Sequence, residues 1–193
     1  MINHKHKCIF IHIPGTGGTS IELAFGENIK SGFFKHQTLS DVIKKNPSEY
    51  KSYFKFSIVR NPWDLAQTMF FKKNIHRKTQ KDSIDFISGK HKKFIEFLKE
   101  DCPFCFVDWH KNLMSDYLMG DIDFIMRNEN LQQDFDIVCD KIKMPHQNLV
   151  FKNKCRTRGN NRKHYTEYYN KEAKEIVAEK YAKDIEYFGY EFK

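Results

Sequence analysis

Short, mainly apolar runs alternate with longer amphipathic stretches along this chain. Residues 8–13 and 54–59 have the length and apolar composition of buried strands, and residues 123–126 predict a shorter third strand. Stretches with helical spacing separate these runs, so we expect parallel strands joined by crossover helices. The predicted fold is therefore α/β, with a central, mostly parallel sheet flanked by helices.

The same pattern predicts the helices and the domain organisation. Pro62 suits the first turn of a helix. No internal repeat and no linker-like tract of Ser, Gly or Pro interrupts the chain, which predicts a single domain over residues 1–193. The predicted helices begin near residue 19 and cover about residues 38–45, 63–73, 90–99, 131–143 and 166–181.

Charge points to an anionic partner. The 193 residues include 33 Lys and Arg against 25 Asp and Glu, a net charge of +8. Nucleic acid, a nucleotide, a polyanionic glycan or a membrane surface would each suit this balance. There is no helix-turn-helix or zinc-finger pattern, so a nucleic-acid partner is not expected. Eighteen Phe and nine Tyr supply a core and argue against disorder.

The chain lacks the sequence features of membrane insertion and export. No stretch approaches the roughly 20 apolar residues that a membrane span requires. The polar segment 1–7 leads directly into a strand, unlike a signal peptide. The expected location is therefore cytoplasmic, and the five cysteines are expected to be reduced. Cys102 and Cys105 have CxxC spacing, but no second ligand pair accompanies them, so no metal site is expected.

The strongest chemical signal is a glycine-rich turn between the first buried strand and the first helix. Glycines let successive backbone N–H groups point inward, which makes a cradle for a phosphate. The alternative is a plain strand-to-helix turn. A Walker A nucleotide loop fits poorly, because Gly18 stands at its Lys position and His12 at its first Gly position. The candidate anion-binding residues are Gly15, Thr16, Gly17, Gly18, Thr19 and Ser20.

Several blocks, in order along the chain, resemble the sulfotransferases that use 3′-phosphoadenosine 5′-phosphosulfate (PAPS). Residues 10–20 read FIHIPGTGGTS and resemble the phosphosulfate loop of the carbohydrate-type branch, which typically reads FIHIPKTGGTS. Residues 56–64, FSIVRNPWD, resemble the family's 3′-phosphate element. Residues 122–135 and the tail from His164 to Tyr190 resemble later family segments. The resemblance implies a P-loop-like sulfotransferase fold.

The resemblance also implies a reaction and its ligands. A sulfuryl group passes from PAPS to an acceptor hydroxyl, for which a carbohydrate is a candidate. The product is adenosine 3′,5′-bisphosphate (PAP), and the reaction needs no metal. It assigns Arg60 to the 3′-phosphate, where a guanidinium makes charge-assisted bonds. The family's Ser falls on Thr68, which keeps the hydroxyl, while its second Arg is Leu65 here. Arg158 and Arg162, in a basic segment, are candidates for a loop closing over the nucleotide; a solvated loop is the alternative.

Transfer needs a base to take the acceptor's proton, and histidine has a suitable pKa. His36 is the candidate catalytic residue, because some carbohydrate-type relatives carry a similar K-H-x-T segment or a catalytic His in this region. His12, on the strand beside the loop, is expected to be a packed or hydrogen-bonded histidine.

One position departs from the family at the centre of the chemistry. The loop lysine that contacts the bridging oxygen and the sulfate is Gly15 here. Three explanations are open: an engineered loss of the catalytic group, a natural member that binds nucleotide without turnover, or another cation such as Lys35 in its place. The alternatives to a working sulfotransferase are a silent nucleotide- or polyanion-binding module on the same fold and a degenerate P-loop kinase or NTPase.

Overall fold

A computed structural model describes residues 1–26, 36–76, 92–99, 113–150 and 164–193. They belong to two compact units. The first unit draws on Met1–Arg60 and Met114–Lys152, and the second on Asn61–Leu113 and Asn153–Lys193. The single domain over residues 1–193 stays a prediction.

The first unit contains the sheet. Among the described residues, four strands stand in the order β1-β2-β3-β4, with β2, β3 and β4 parallel and β1 antiparallel to β2. Phe56 pairs with Phe10 on one side and Phe124 on the other. This architecture confirms the predicted α/β class and mostly parallel sheet. The strands are β1 Ile2–Asn3, β2 Cys8–Ile11, β3 Phe54–Val59 and β4 Phe124–Arg127.

The helices of the described residues largely follow the predicted ones. None of the helices described by the structure is long and apolar enough to cross a membrane. The α-helices, in chain order, are α1 Gly18–Ala24, α2 Leu39–Lys45, α3 Pro47–Ser52, α4 Pro62–His76, α5 Lys92–Lys99, α6 Met114–Tyr117, α7 Leu131–Ile142, α8 Lys171–Lys180 and α9 Ala182–Phe188.

The core of the first unit lies between the sheet and its helices. Phe10, Phe56 and Phe135 are fully buried in it. Cys8 and Cys139 lie in the same cluster, and burial raises the pKa of the Cys8 thiol to about 12 and that of Cys139 to about 11. Both are free thiols, and their raised pKa makes them inert packing residues. The CxxC pair and Cys155 lie outside the described residues.

The second unit is helical in its described part, and Asn61 organises it. The Asn61 side chain accepts a hydrogen bond from the Trp63 amide at 3.0 Å, which caps α4 ahead of Pro62. Its Nδ2 donates to the Tyr165 hydroxyl at 3.2 Å and to the Glu191 carbonyl at 2.9 Å. One side chain thus ties the start of α4 to the C-terminal segment.

The predicted continuous helix over residues 166–181 is wrong. The segment begins instead with a 3₁₀ turn, Tyr165–Tyr168, and α8 starts afresh at Lys171. Asn170 interrupts it: its extended backbone and its side chain, which accepts from the Ala173 amide at 2.8 Å, make it an N-cap rather than a helix-interior residue.

Candidate functional site

The carboxyl ends of three parallel strands bring the candidate residues of the first unit together. The glycine-rich turn follows β2, Arg60 follows β3, and Asn128 follows β4. Open α/β sheets bind ligands at this edge, because the loops that follow the strands lie there. Ser57 helps hold β3 against β2, because its Oγ donates to the Ile11 carbonyl at 2.7 Å in the buried layer.

The turn from β2 to α1 has a backbone that only glycine adopts readily at two positions. Gly15 has φ of 82° and Gly17 has φ of 108°, both in the left-handed region. Between them Thr16 is fully buried, and its Oγ1 donates to the Ile13 carbonyl at 2.9 Å. Left-handed residues alternating with ordinary ones turn consecutive N–H groups to the same side, which is the geometry of an anion-binding nest.

The structure also explains why Gly17 and Gly18 stand side by side. A Cβ on Gly17 would lie 2.8 Å from Asn128 Nδ2, and one on Gly18 would lie 2.5 Å from Cδ2 of the His12 ring. The missing side chain of Gly17 therefore makes room for Asn128 at the end of β4, and that of Gly18 makes room for His12 at the end of β2. The Asn128 amide thus packs against Gly17, and the His12 imidazole packs against Gly18.

We expect Gly18→Ala to lower the free energy of unfolding by about 1–3 kcal/mol, because the new methyl group overpacks against the His12 ring. Urea denaturation measures this. The matched background is His12→Ala, where the ring is gone and the same Gly18→Ala change should cost much less. An equal cost in both backgrounds would show that the His12 ring is not what excludes a side chain at residue 18.

Arg60 reaches the same loop. Its Nη1 donates to the Gly15 carbonyl at 3.2 Å, and the residue is only 8% exposed. A permanent positive charge therefore lies beside the main chain of residue 15, where the residue's own side chain is missing. The structure therefore places the Arg60 guanidinium against the main chain of the loop.

Two histidines and a carboxylate lie under and beside the loop. His12, which follows β2, is buried, and its Nδ1 lies 2.6 Å from Oε1 of the buried Glu22 on α1, so the two side chains form a hydrogen-bonded pair. His12 is thus the hydrogen-bonded histidine that the sequence predicted. The half-buried His36 contacts it twice: the ring centroids are 4.7 Å apart, edge to face, and His36 Nδ1 lies 3.1 Å from the His12 carbonyl.

The His36 contact fixes a tautomer. A carbonyl oxygen only accepts, so Nδ1 of His36 carries the hydrogen and donates it to His12. In neutral imidazole the other nitrogen, Nε2, then holds a lone pair. This is the form that a general base requires.

The other predicted site residues are placed as follows. Thr19 and Ser20 lie in the first turn of α1, where the Ser20 amide donates to the Gly17 carbonyl at 3.0 Å. Thr68 is buried on α4, in the second unit. Arg158, Arg162 and Lys35 lie outside the described residues. Their roles stay predictions.

Sequence reasoning gave no role to Asn128 or Glu22. Asn128 Nδ2 donates to the Thr16 carbonyl at 2.7 Å, across the sheet from a segment more than a hundred positions earlier. Glu22 pairs with His12, ten positions earlier in the chain. A local signal existed for Glu22 alone, since it is a charged residue on the otherwise apolar face of α1 that carries Ile21.

Comparison with known proteins gives one match. The model of the Sulfotransferase family matches residues 1–191, nearly the whole chain. No curated protein and no solved structure matches this chain. Within the part of the chain that the structure describes, no group of three or more His, Cys, Asp or Glu side chains is arranged to hold a metal ion.

Proposed function

Because this chain belongs to the sulfotransferase family, we propose that it transfers a sulfuryl group from PAPS to an acceptor hydroxyl. The observation that carries the proposal is the glycine loop at the carboxyl end of β2, with Arg60 hydrogen-bonded to it. A nest of main-chain N–H groups suits the 5′-phosphosulfate, and the net charge of +8 suits a multiply anionic donor.

Different residues are proposed to bind the two ends of PAPS. The loop from Gly15 to Ser20 holds the 5′ end through its amides and hydroxyls. Arg60 binds the 3′-phosphate, as the family resemblance implies, and Thr68, Arg158 and Arg162 are the proposed further contacts to the nucleotide. The acceptor is a hydroxyl, and a carbohydrate is its proposed source because the loop is most similar to that of the carbohydrate-type branch.

The chemical step follows from the His36 tautomer. The acceptor oxygen attacks sulfur as Nε2 of His36 takes its proton, and the bond from sulfur to the 5′-phosphate oxygen breaks. The electron pair of that bond leaves on the phosphate, so PAP departs with an additional negative charge. Donors aimed at this developing charge, the loop amides, stabilise the transition state.

Ligand-dependent melting tests the donor class. A ligand that binds only the folded state raises the melting temperature, and at equal concentration the tighter ligand gives the larger shift. We expect PAP to raise it clearly more than AMP or ATP with Mg²⁺ at equal concentration. Equal shifts, or a larger shift with ATP, would favour the degenerate kinase or NTPase instead.

Gly15 supports a second candidate, a module that binds the nucleotide without turning it over. Its φ of 82° disfavours any L side chain, so the backbone suits the glycine that is present. The chain then lacks the ammonium that offsets charge on the departing phosphate in the family.

Gly15→Lys separates the two candidates. We expect it to raise the rate of 35S transfer from PAPS to a panel of glycan and small hydroxyl acceptors by about tenfold, since an added cation at the leaving group stabilises the transition state. Gly15→Met is the matched control, with similar length and the same backbone strain but no charge. Equal rates for the Lys and Met variants would refute the charge argument, and no transfer by any form would favour the silent module.

A further inference from the structure

The Asn128 side chain is hydrogen-bonded to the main chain of the loop. It stands at the end of β4, in the short 3₁₀ turn Asn128–Asn130, and its Nδ2 lies 2.7 Å from the carbonyl oxygen of Thr16. We propose that Asn128 is a positioning residue of the donor site, which sets the direction of the Gly17 N–H. The inference rests on the proposed function of the loop as the cradle for the 5′ end of the donor.

Peptide geometry connects the two groups. A trans peptide is planar, and its C=O and the following N–H point in opposite directions. The Thr16 carbonyl and the Gly17 N–H belong to one such unit. By holding the carbonyl toward the end of β4, Asn128 turns the Gly17 N–H the other way, away from β4.

A second side chain acts on the preceding peptide in the same manner. Arg60 Nη1 holds the Gly15 carbonyl at 3.2 Å, which directs the Thr16 N–H away from Arg60. The two tethers thus fix two consecutive peptide planes of the loop. Two fixed donors require little reorganisation when an anion arrives, which is the condition for strong electrostatic binding.

Asn128 is itself held in place. The Arg127 amide donates to the Asp134 carboxylate at 2.6 Å, which fixes the turn from β4 into α7. The buried Leu131 anchors the start of α7, and its Cδ2 would lie 3.3 Å from a Cβ on Gly17. The absent side chain of Gly17 leaves the space that the Asn128 amide needs, 2.8 Å from that Cβ position.

The side-chain amide has properties that its close analogues lack. Aspartate has the same shape, but as a carboxylate it only accepts, so it would repel the Thr16 carbonyl and add a negative charge near the phosphate. Alanine removes the Asn128 donor from the carbonyl of Thr16, a fully buried residue. Both changes should release the peptide plane without removing any group that touches the donor.

The test is a comparison of two nucleotides by isothermal titration calorimetry. PAP has a 5′-phosphate, and adenosine 3′-phosphate lacks it, so the ratio of their affinities reports what the loop contributes. We expect Asn128→Ala to reduce this ratio about tenfold and Asn128→Asp to reduce it further, with the affinity for adenosine 3′-phosphate nearly unchanged. Asn130→Ala is the matched control, since Asn130 is exposed in the same turn and makes no side-chain cap.

The outcomes are distinct. A wild-type ratio in both Asn128 variants, whatever their melting temperatures, would overturn the inference and leave the proposed function intact. A parallel loss of affinity for both nucleotides would mean that Asn128 supports the fold and not the direction of the loop amides, which also overturns it. A wild-type protein that does not prefer PAP over adenosine 3′-phosphate would overturn the inference together with the proposed function. Should the Ala variant fail to fold, the isosteric Asp variant supplies the same comparison.

Discussion

Replacing His36 with glutamine is expected to lower kcat for sulfuryl transfer by about 10²- to 10⁴-fold, the range that general-base catalysis contributes. The reason is the tautomer fixed by the His12 carbonyl, which leaves Nε2 of His36 to take the acceptor's proton. The affinity for PAP should stay within about twofold, because His36 is proposed to contact the acceptor and not the donor. Transfer of 35S from PAPS, measured on the Gly15→Lys background if the wild-type rate is low, gives kcat, and calorimetry gives the affinity for PAP.

His36→Asn provides the matched control for this experiment. Its side-chain amide keeps a donor that can serve the His12 carbonyl, but it offers no base. Both variants should therefore lose activity to the same degree. If the Gln variant transfers sulfate at the wild-type rate, another residue removes the proton and the role given to His36 is wrong.

Replacing Arg60 with glutamine is expected to weaken PAP binding by about 100-fold, since truncating one partner of a buried, hydrogen-bonded charge pair costs several kcal/mol. The affinity for AMP, which has no 3′-phosphate, should fall much less. Arg60→Lys keeps the charge but loses the planar guanidinium, so we expect its affinity for PAP to lie between those of the wild type and the Gln variant. Calorimetric titration of the three proteins with PAP and AMP gives the comparison.

The hydrogen bond from Arg60 to the Gly15 carbonyl suggests the alternative role that this experiment must exclude, a support of the loop. If the residue acted only by shaping the loop, PAP and AMP would lose affinity equally in the Gln variant. That outcome would remove Arg60 from the 3′-phosphate and leave it as a support of the loop.

Local patterns were sufficient to predict the parts of the fold that bury apolar runs. The strand over residues 54–59 was predicted with the bounds that the structure has, because every residue after Phe54 is buried and the run ends at Arg60. β1 was missed because a strand of two residues has no pattern of its own and depends on pairing with Cys8 and Ile9. α3 was missed because none of its residues is buried, so it has no apolar periodicity.

The site divides in the same way. The glycine loop was a candidate because of its residue types and its place after a strand, and Arg60 was a candidate because the segment around it resembles a family element. The hydrogen bond from Asn128 to the loop was not predicted, because it depends on the register that sets β4 beside β3, with Phe124 opposite Phe56. The pairing of His12 with Glu22 depends on the turn between β2 and α1, and only Glu22 carried a local signal for it. Residue types and strand ends could be read from the sequence, whereas contacts between separate elements required the structure.

A crystal structure of the protein with bound PAP tests the central claim most directly. The account predicts that the 5′-phosphate lies within hydrogen-bond distance of the loop amides between Thr16 and Ser20, while the Arg60 guanidinium contacts the 3′-phosphate. A nucleotide bound with its 5′-phosphate away from this loop, or with no phosphate near Arg60, would contradict it.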